Sequence, residues 1–429
     1  SPRFTDLKTR PHLAWLVAAI TFMVLLTSAA FRSSVGVLVI PFEAEFGWSR
    51  STTSIAVALN LVLYGLAAPF ATALMERLGI RNVAVGALGL IAIGTGLTTI
   101  MTEPWHLVLL WGVVVGLGVG ATALVFGSLV VTRWFVRHQG LMLGVMGAAW
   151  ATGQLIFLPI IAHYVSAEGW RVASFGIAGI ALCMMPVVWL VVRDRPSDVG
   201  QLPYGADPTY PPSLEKNVDD GIFKTLASSI TTLFRVAHNR SFWILSGTFF
   251  VCGWTTNGII STHFIPAAQD EGMAVTAAAT LLAVVGIFDL VGTIGSGWLT
   301  DRFDPRKLLA IYYGLRGIAL LAMPFILGPS IEPPMLIVMV LFGLDWVATV
   351  PPTAILSVRI FGKSTGITVF AWVFASHMIG AAAAALLSGF IRDISNDYLI
   401  AWLLAGALAL LASVAALALP KTQPEAPAA

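Results

Sequence analysis

The chain has 429 residues, 57% of them hydrophobic and only 11% charged. Soluble domains carry roughly 25% charged residues, so this composition excludes a water-soluble globular protein and places the chain in a membrane. The formal net charge of +2 points to no particular charged partner, and no nucleic acid is expected to bind.

Twelve apolar runs follow in order, each about the length an α-helix needs to cross a bilayer, roughly 20 residues. They cover Ala14 to Ile40, Ser51 to Met75, Val83 to Met101, His106 to Val131, Gly140 to Val165 and Arg171 to Val192 in the first half. Phe242 to Ala268, Thr276 to Thr300, Leu308 to Gly328, Pro334 to Ile360, Thr365 to Phe390 and Leu399 to Leu419 make the second. The fold expected is all-α, with both chain ends on one side of the membrane.

With the N-terminus inside, cytoplasmic segments hold 19 of the 24 basic residues. The opposite side holds Arg50, Arg171 and Arg392, and Arg32 and Arg316 fall within spans. Basic residues concentrate on the cytoplasmic side of membrane proteins, which sets both termini there. The first run is too long for the apolar region of a cleaved signal peptide and is expected to stay as a span. Cys183 and Cys252 lie in apolar runs, as small core residues rather than a disulfide.

The segment Arg193 to Arg240 interrupts the apolar rhythm with twelve charged residues. It is expected to be a cytoplasmic linker, with a surface helix near Ile222 to Val236. The resulting organisation is a six-helix bundle over 1–192, a linker over 193–241, a second six-helix bundle over 242–420 and a disordered tail over 421–429. The halves share a pattern. MERLGIR at Met75 to Arg81 returns as TDRFDPR at Thr300 to Arg306, RWFVRHQG at Arg133 to Gly140 as RIFGKSTG at Arg359 to Gly366, and GLGVGAT at Gly116 to Thr122 as GLDWVAT at Gly343 to Thr349. All three recur at a spacing of about 225 residues, an internal repeat.

A parallel six-plus-six repeat with a charged turn after spans two and eight resembles the major facilitator superfamily, whose halves rock about a midplane site. That family's turn motif, Gly-x-x-x-Asp-Arg-x-Gly-x-Arg/Lys, is met by Gly297, Asp301, Arg302 and Arg306, with Asp304 in place of its second Gly. The first copy keeps Glu76, Arg77, Gly79 and Arg81, with Thr72 in place of its first Gly. IPFEAEFGWSRS after the first span, RWFVRHQGLMLGV, the GWR at Gly169 and RDRPSDVGQLPYG after the sixth resemble the monocarboxylate transporter and oxalate/formate antiporter branch. The resemblance implies twelve transmembrane helices in two pseudo-symmetric six-helix bundles. It also implies a cavity lined by spans 1, 4, 7 and 10, with help from 2, 5, 8 and 11. Glu76, Arg77, Asp301 and Arg302 are then expected to gate the cytoplasmic side.

A charge near the bilayer centre costs about 2.5 to 3.5 kcal/mol on insertion scales, so each needs a partner, a wet cavity or a route to the surface. Four candidates stand out. Arg316, about two turns from the cytoplasmic end of a span that the resemblance turns towards lipid, is expected to extend to the headgroups. Arg32 is expected to face the cavity and bind an anion, with an outward-reaching or structurally paired arginine as the alternative. The monocarboxylate branch carries an Asp and an Arg one turn apart in span eight; here Asp289 is followed at i+4 by Thr293, and Arg32 is the expected substitute cation. Burial disfavours a charged carboxylate, which makes Asp289 the candidate proton acceptor; a permanently paired structural carboxylate is the alternative. Asp345 is open between a second proton site, a counter-ion for Arg32 and a structural pair.

The repeat sets Asn257 opposite Arg32 and Tyr64 opposite Asp289, so four spans are expected to bring polar groups to one midplane volume walled by Trp346 and Trp372. His377 is a candidate substrate ligand, because the oxalate/formate relatives place a cationic ligand in span eleven, while His263 lies nearer the outer end. Gly112, Gly116 and Gly120 form a small-residue packing stripe. Met142 and Met146 read as core filling. None of the seven histidines forms an HxxxH or HxxH pair, so no metal, cofactor or enzymatic activity is expected.

The function expected is proton-coupled symport of a small organic anion, a monocarboxylate or related carboxylate. The alternative is export or exchange of another metabolite or drug, and behind it a channel or sensor scaffold. The protein is expected to act as a monomer in a plasma membrane, the inner membrane of a bacterium.

Overall fold

An apolar span has no water to satisfy its backbone, so it closes its hydrogen bonds internally as a helix. The computed structural model describes residues 12–122, 124–136, 139–206, 222–300 and 302–421; the expected tail therefore falls outside the described residues save for Lys421. Among the described residues, nine helices are long and apolar enough to cross a membrane. Helices also cover the runs at 51–75, 140–165 and 242–268. The chain thus folds as the expected all-α bundle of twelve spans.

Eight spans are single helices over the described residues: α3 (Arg50–Leu78), α4 (Ile80–Thr98), α8 (Gln139–Glu168), α9 (Trp170–Val191), α13 (Val275–Thr300), α14 (Pro305–Ile326), α17 (Lys363–Ser395) and α18 (Leu399–Leu417). The other four are interrupted. Span one breaks at Ser34 between α1 (Leu13–Ser33) and α2 (Val35–Phe46). Span four runs from α5 (Pro104–Leu107) through a π-helical stretch at Val108–Val115 into α6 (Gly116–Ala121), and resumes as α7 (Leu124–Trp134). Span seven passes from α11 (Arg240–Gly253) through a π turn at Trp254–Gly258 to α12 (Ile259–Asp270). Span ten stops at the end of α15 (Pro333–Asp345) and restarts as α16 (Val350–Phe361). These are spans 1, 4, 7 and 10, which the repeat pairs as 1 with 7 and 4 with 10.

Packing repeats as the sequence does. In the first half α4 lies on α9, α3 on span four, and α1 on α8; in the second, α14 lies on α18, α13 on α15, and α11 on α17. Between halves, α3 packs on α17, α8 on α13, and α2 on α12. The linker helix α10 (Ile222–Val236) touches both α3 and α17 and so bridges the seam. The start of α1 and the end of α18 gather on one face, called proximal below. There His12 Nε2 meets the Leu202 carbonyl at 3.0 Å, and Arg306 donates to the Leu419 carbonyl at 2.9 Å. The opposite face is the distal one.

The contact of α11 with α17 depends on two reciprocal glycines. A Cβ at Gly253 would run into the His377 carbonyl, and one at Gly380 into the Phe250 carbonyl. Overpacking of this kind costs typically about 1 to 3 kcal/mol. Gly253→Ala should therefore lower the melting temperature in detergent, while Gly179→Ala, which meets open space, should not. Equal melting of the two variants would show that the close approach is not required.

Candidate substrate and proton site

Every break in a membrane helix frees backbone groups that the surrounding protein must satisfy. The π stretch of span four loosens the Trp111 carbonyl, which accepts a bond from Asn60 Nδ2 of α3 at 2.8 Å. At the end of α6, Thr122 bonds back to the Gly118 carbonyl at 3.1 Å and meets Ser28 of α1 at 2.6 Å. In span seven the π turn exposes Asn257, whose Nδ2 lies 3.0 Å from His377 Nε2 of α17. His377 stacks in parallel on Phe374 with ring centroids 5.7 Å apart. Val57, Asn60, Trp111, Asn257, Ser261 and Thr262 enclose a cavity of about 20 Å³ between the halves, room for one water. Asn257 Oδ1 and Ser261 Oγ are buried there without a partner among the described residues.

The break in span ten is held by side chains from two neighbouring helices. Asp289 of α13 accepts from the Val347 N–H at 3.1 Å and from Thr293 Oγ1 at 2.9 Å. Ser296, two turns on, donates to the Ala348 carbonyl at 2.5 Å. Thr293, the residue standing where the branch has arginine, serves here as a neutral donor to Asp289. From α14, Arg316 donates Nε to Asp345 Oδ2 at 2.6 Å and Nη2 to the Asp345 and Trp346 carbonyls at 2.5 and 3.3 Å. Its Nη1 reaches Cys252 Sγ and Thr255 Oγ1, both at 3.2 Å.

Arg316 therefore corrects the expectation that it extends to the headgroups. It is 1% exposed and points into the second bundle, against Asp345. The reason is partnership: five donors that would each cost free energy if buried alone are all satisfied by one turn of span ten and the middle of span seven. Asp345 accordingly has Arg316 as its counter-ion.

The remaining site residues divide. Asn257 comes together with His377, while Asp289, Asp345 and Trp346 meet at the span-ten turn, so the expected single midplane volume is two neighbouring polar clusters. Tyr64 lies on α3, packed with the first half's core. Arg32 lies in the last turn of α1, beside the break in span one; its side chain and that of Glu76 are outside what is described, as is Asp301. Arg77 is exposed, and Arg302 lies 4.1 Å over the Trp298 ring of its own helix end. No ion pair among the described residues joins these two turns. A larger apolar crevice of about 220 Å³ lies between α1, α8 and α9, lined by residues such as Phe157, Ile161 and Ile177; its walls suit hydrocarbon, not an anion.

The halves are tied instead at the distal face, by residues the sequence reading did not select. Arg50, at the start of α3, grips Asp270, just beyond the apolar run of span seven, with Nη1 and Nη2, both at 2.6 Å, and reaches Glu43 at 2.7 Å and Tyr398 at 3.0 Å. Arg392 of α17 also binds Asp270, at 2.8 Å. Asp393 accepts the N–H groups of Arg50 and Ser51, capping α3 from the opposite half and complementing its dipole. Beneath them, His263 bonds Tyr398 at 2.9 Å and the Ala385 carbonyl at 2.7 Å. The signal was present in the sequence: Arg50 and Arg392 are two of the three basic residues on the sparsely charged side.

The family follows from comparison with known proteins. Residues 20–368 match the Major Facilitator Superfamily. The chain belongs to that superfamily. It is 25% identical to the uncharacterized MFS-type transporter YcxA of Bacillus subtilis, with 92% of each chain covered. It is 26% identical to monocarboxylate transporter 11 of Mus musculus, covering 96% of this chain and 88% of the relative. Two solved structures share the fold at 16% identity. One is a D-xylose-proton symporter, with a TM-score of 0.69 and 96% and 98% covered; the other is a bacterial homologue of the lysosomal transporter Spinster, at 0.70 with 97% and 100% covered. The chain is a multi-pass membrane transporter, not an enzyme, and the distal network joins its two halves.

Burial pushes the Asp270 carboxyl up, but the bonds and charges of Arg50 and Arg392 outweigh this and hold it below its ordinary value. A depressed carboxylate stabilises the closed face at neutral pH, and that contribution is lost as pH falls through the depressed value. Asp270→Asn should open the distal face at neutral pH, because Arg50 loses its charged acceptor. Labelling of Ser54→Cys, buried behind the gate, by an impermeant maleimide should then accelerate at least about ten-fold, a shift of roughly 1.4 kcal/mol. Unchanged labelling would mean that the network does not set the gate.

Proposed function

We propose that the protein is a proton-coupled carrier of a small organic anion of the monocarboxylate class, working by alternating access. The observation that carries this reading is Asp289, a buried mid-span carboxylate whose bonded donors, Thr293 and Val347, are both neutral. Such a group exchanges a proton at small cost, whereas a carboxylate locked to an arginine does not. The names of the monocarboxylate relatives support the substrate class. Four interrupted spans support a midplane site, since broken helices present unpaired backbone to substrate.

In this mechanism Arg32, beside the break in span one, binds the anionic group through charge-assisted bonds. Asn257, His377 and Tyr64 supply polar contacts, and Trp346 an apolar wall. Asp289 takes a proton as the anion arrives, so the pair enters as a neutral load and the halves exchange more readily. Glu76, Arg77, Asp301 and Arg302 hold the proximal gate when the distal one opens. Both termini are cytoplasmic, on the Lys/Arg asymmetry of the loops, and the membrane is the inner membrane of a bacterium. The distal gate then faces outward, and the conformer described is closed to the outside. The working unit is the monomer.

Purified protein in liposomes tests this directly. An inward proton gradient should drive saturable accumulation of a monocarboxylate. Asp289→Asn, a permanent mimic of the neutral form, should keep substrate counterflow while losing accumulation driven by the gradient. Retained gradient-driven uptake in that variant would remove Asp289 from the mechanism. Arg32→Lys lacks the planar fork and should weaken binding by about ten-fold, measured by thermal shift against a carboxylate panel; stabilisation by neutral or cationic metabolites instead would favour the exporter reading.

A further inference from the structure

The span-ten turn holds two carboxylates and one guanidinium, and their hydrogen bonds are divided unequally. All five Arg316 donors are spent on Asp345, the Trp346 carbonyl, Cys252 and Thr255. Asp289 grips the same turn from the other side, through the Val347 N–H. Its contact point lies two positions after Asp345, so the cation stands beside it on one turn.

We propose that Asp345 is a positioning residue for proton coupling: it sequesters Arg316, so that Asp289 is left with neutral donors and free to bind a proton. This rests on the reading of Asp289 as the proton site. The chain lacks the arginine that its branch carries at the position of Thr293, yet has a cation within the same cluster. Without Asp345, that buried cation would have Asp289 as its remaining carboxylate. Asp289 would then become a held anion, which binds protons poorly. Asp345 thereby separates two roles that a single Asp–Arg pair would merge.

Other titratable groups on the elements packed against α13 have different places. Tyr312 and Tyr313 of α14 lie about Asp345 and Arg316. His263 of α12 is engaged with Tyr398 and Ala385, and Asp270 closes the distal gate. His163, Tyr164 and Glu168 belong to the distal end of α8, and Arg359 to the last turn of α16. The rest of α15 contributes no charged side chain between Pro333 and Asp345.

The test reads Asp289 itself, without substrate. Dicyclohexylcarbodiimide modifies protonated carboxyl groups in apolar surroundings, and peptide mass spectrometry reports modification of Asp289 against pH. In the wild-type protein, labelling should rise as pH falls, with a defined midpoint. Asp345→Asn should move that midpoint to more acidic pH by about 1 to 3 units, the effect of an opposite charge on a carboxylate. The double variant Asp345→Asn/Arg316→Gln removes the cation as well and should return the midpoint towards the wild-type value. It also leaves no unpaired charge, so it keeps the test readable if the single variant does not fold. An unmoved midpoint in Asp345→Asn would overturn the proposal, as would a double variant as acid-shifted as the single one. Where the single variant does not fold, a double variant whose midpoint departs from wild type by more than one unit overturns it. If the midpoints behave as proposed while liposomes show no proton-driven uptake, the transport reading fails and the sequestration stands.

Discussion

A polar group inside a bilayer must find its partner within the protein, and that constraint organises the second half of this transporter. The turn that interrupts span ten presents two backbone carbonyls and an N–H to its neighbours near its beginning. Arg316 binds the carbonyls of Asp345 and Trp346; Asp289 binds the N–H of Val347. Two charged side chains from separate helices thus take the place of helical hydrogen bonds. The eighth, ninth and tenth spans are thereby fixed to one another, while the break itself is kept open for function.

The same logic distinguishes the two ends of the molecule. At the distal face the groups that need partners are charged and partly wet, and they are satisfied across the seam between halves: Arg50 with Asp270, and Asp393 with the first turn of α3. Such contacts form only when the halves close there, so they report and stabilise one state. At the span-ten turn the contacts lie within one half, so a rigid-body motion of the halves leaves them in place. The molecule thus has both kinds: interactions across the seam, and a polar cluster internal to one half.

Much of this was legible from hydropathy. Twelve runs, a linker helix over Ile222–Val236 and a repeat at about 225 residues lead to the fold, because a membrane helix needs length and apolarity and little else. Asp289 was legible for the converse reason: an acid in oil has few explanations. Arg316 was misread because hydropathy reports depth and not direction. On α14 the lipid-facing Ile311, Leu315 and Ile318 are as apolar as the buried Leu309, Leu320 and Met323. No amphipathic contrast marks which side of the helix the arginine takes. The distal gate was missed for a related reason, since ion pairs between residues as far apart in sequence as Arg50 and Asp270 leave no local pattern. Arg32, Tyr64 and the proximal turns remain expectations of the repeat and the family.

The central proposal is that a proton on Asp289 lets the two halves exchange. Electron–electron distances between spin labels at Ala167 and Glu271, both exposed at the distal face in opposite halves, measure this in nanodiscs. The account predicts that changing pH across the Asp289 titration redistributes the distal distances in the wild-type protein, and that Asp289→Asn gives one pH-independent distribution. Equal pH responses in the two proteins, or none in either, would contradict it.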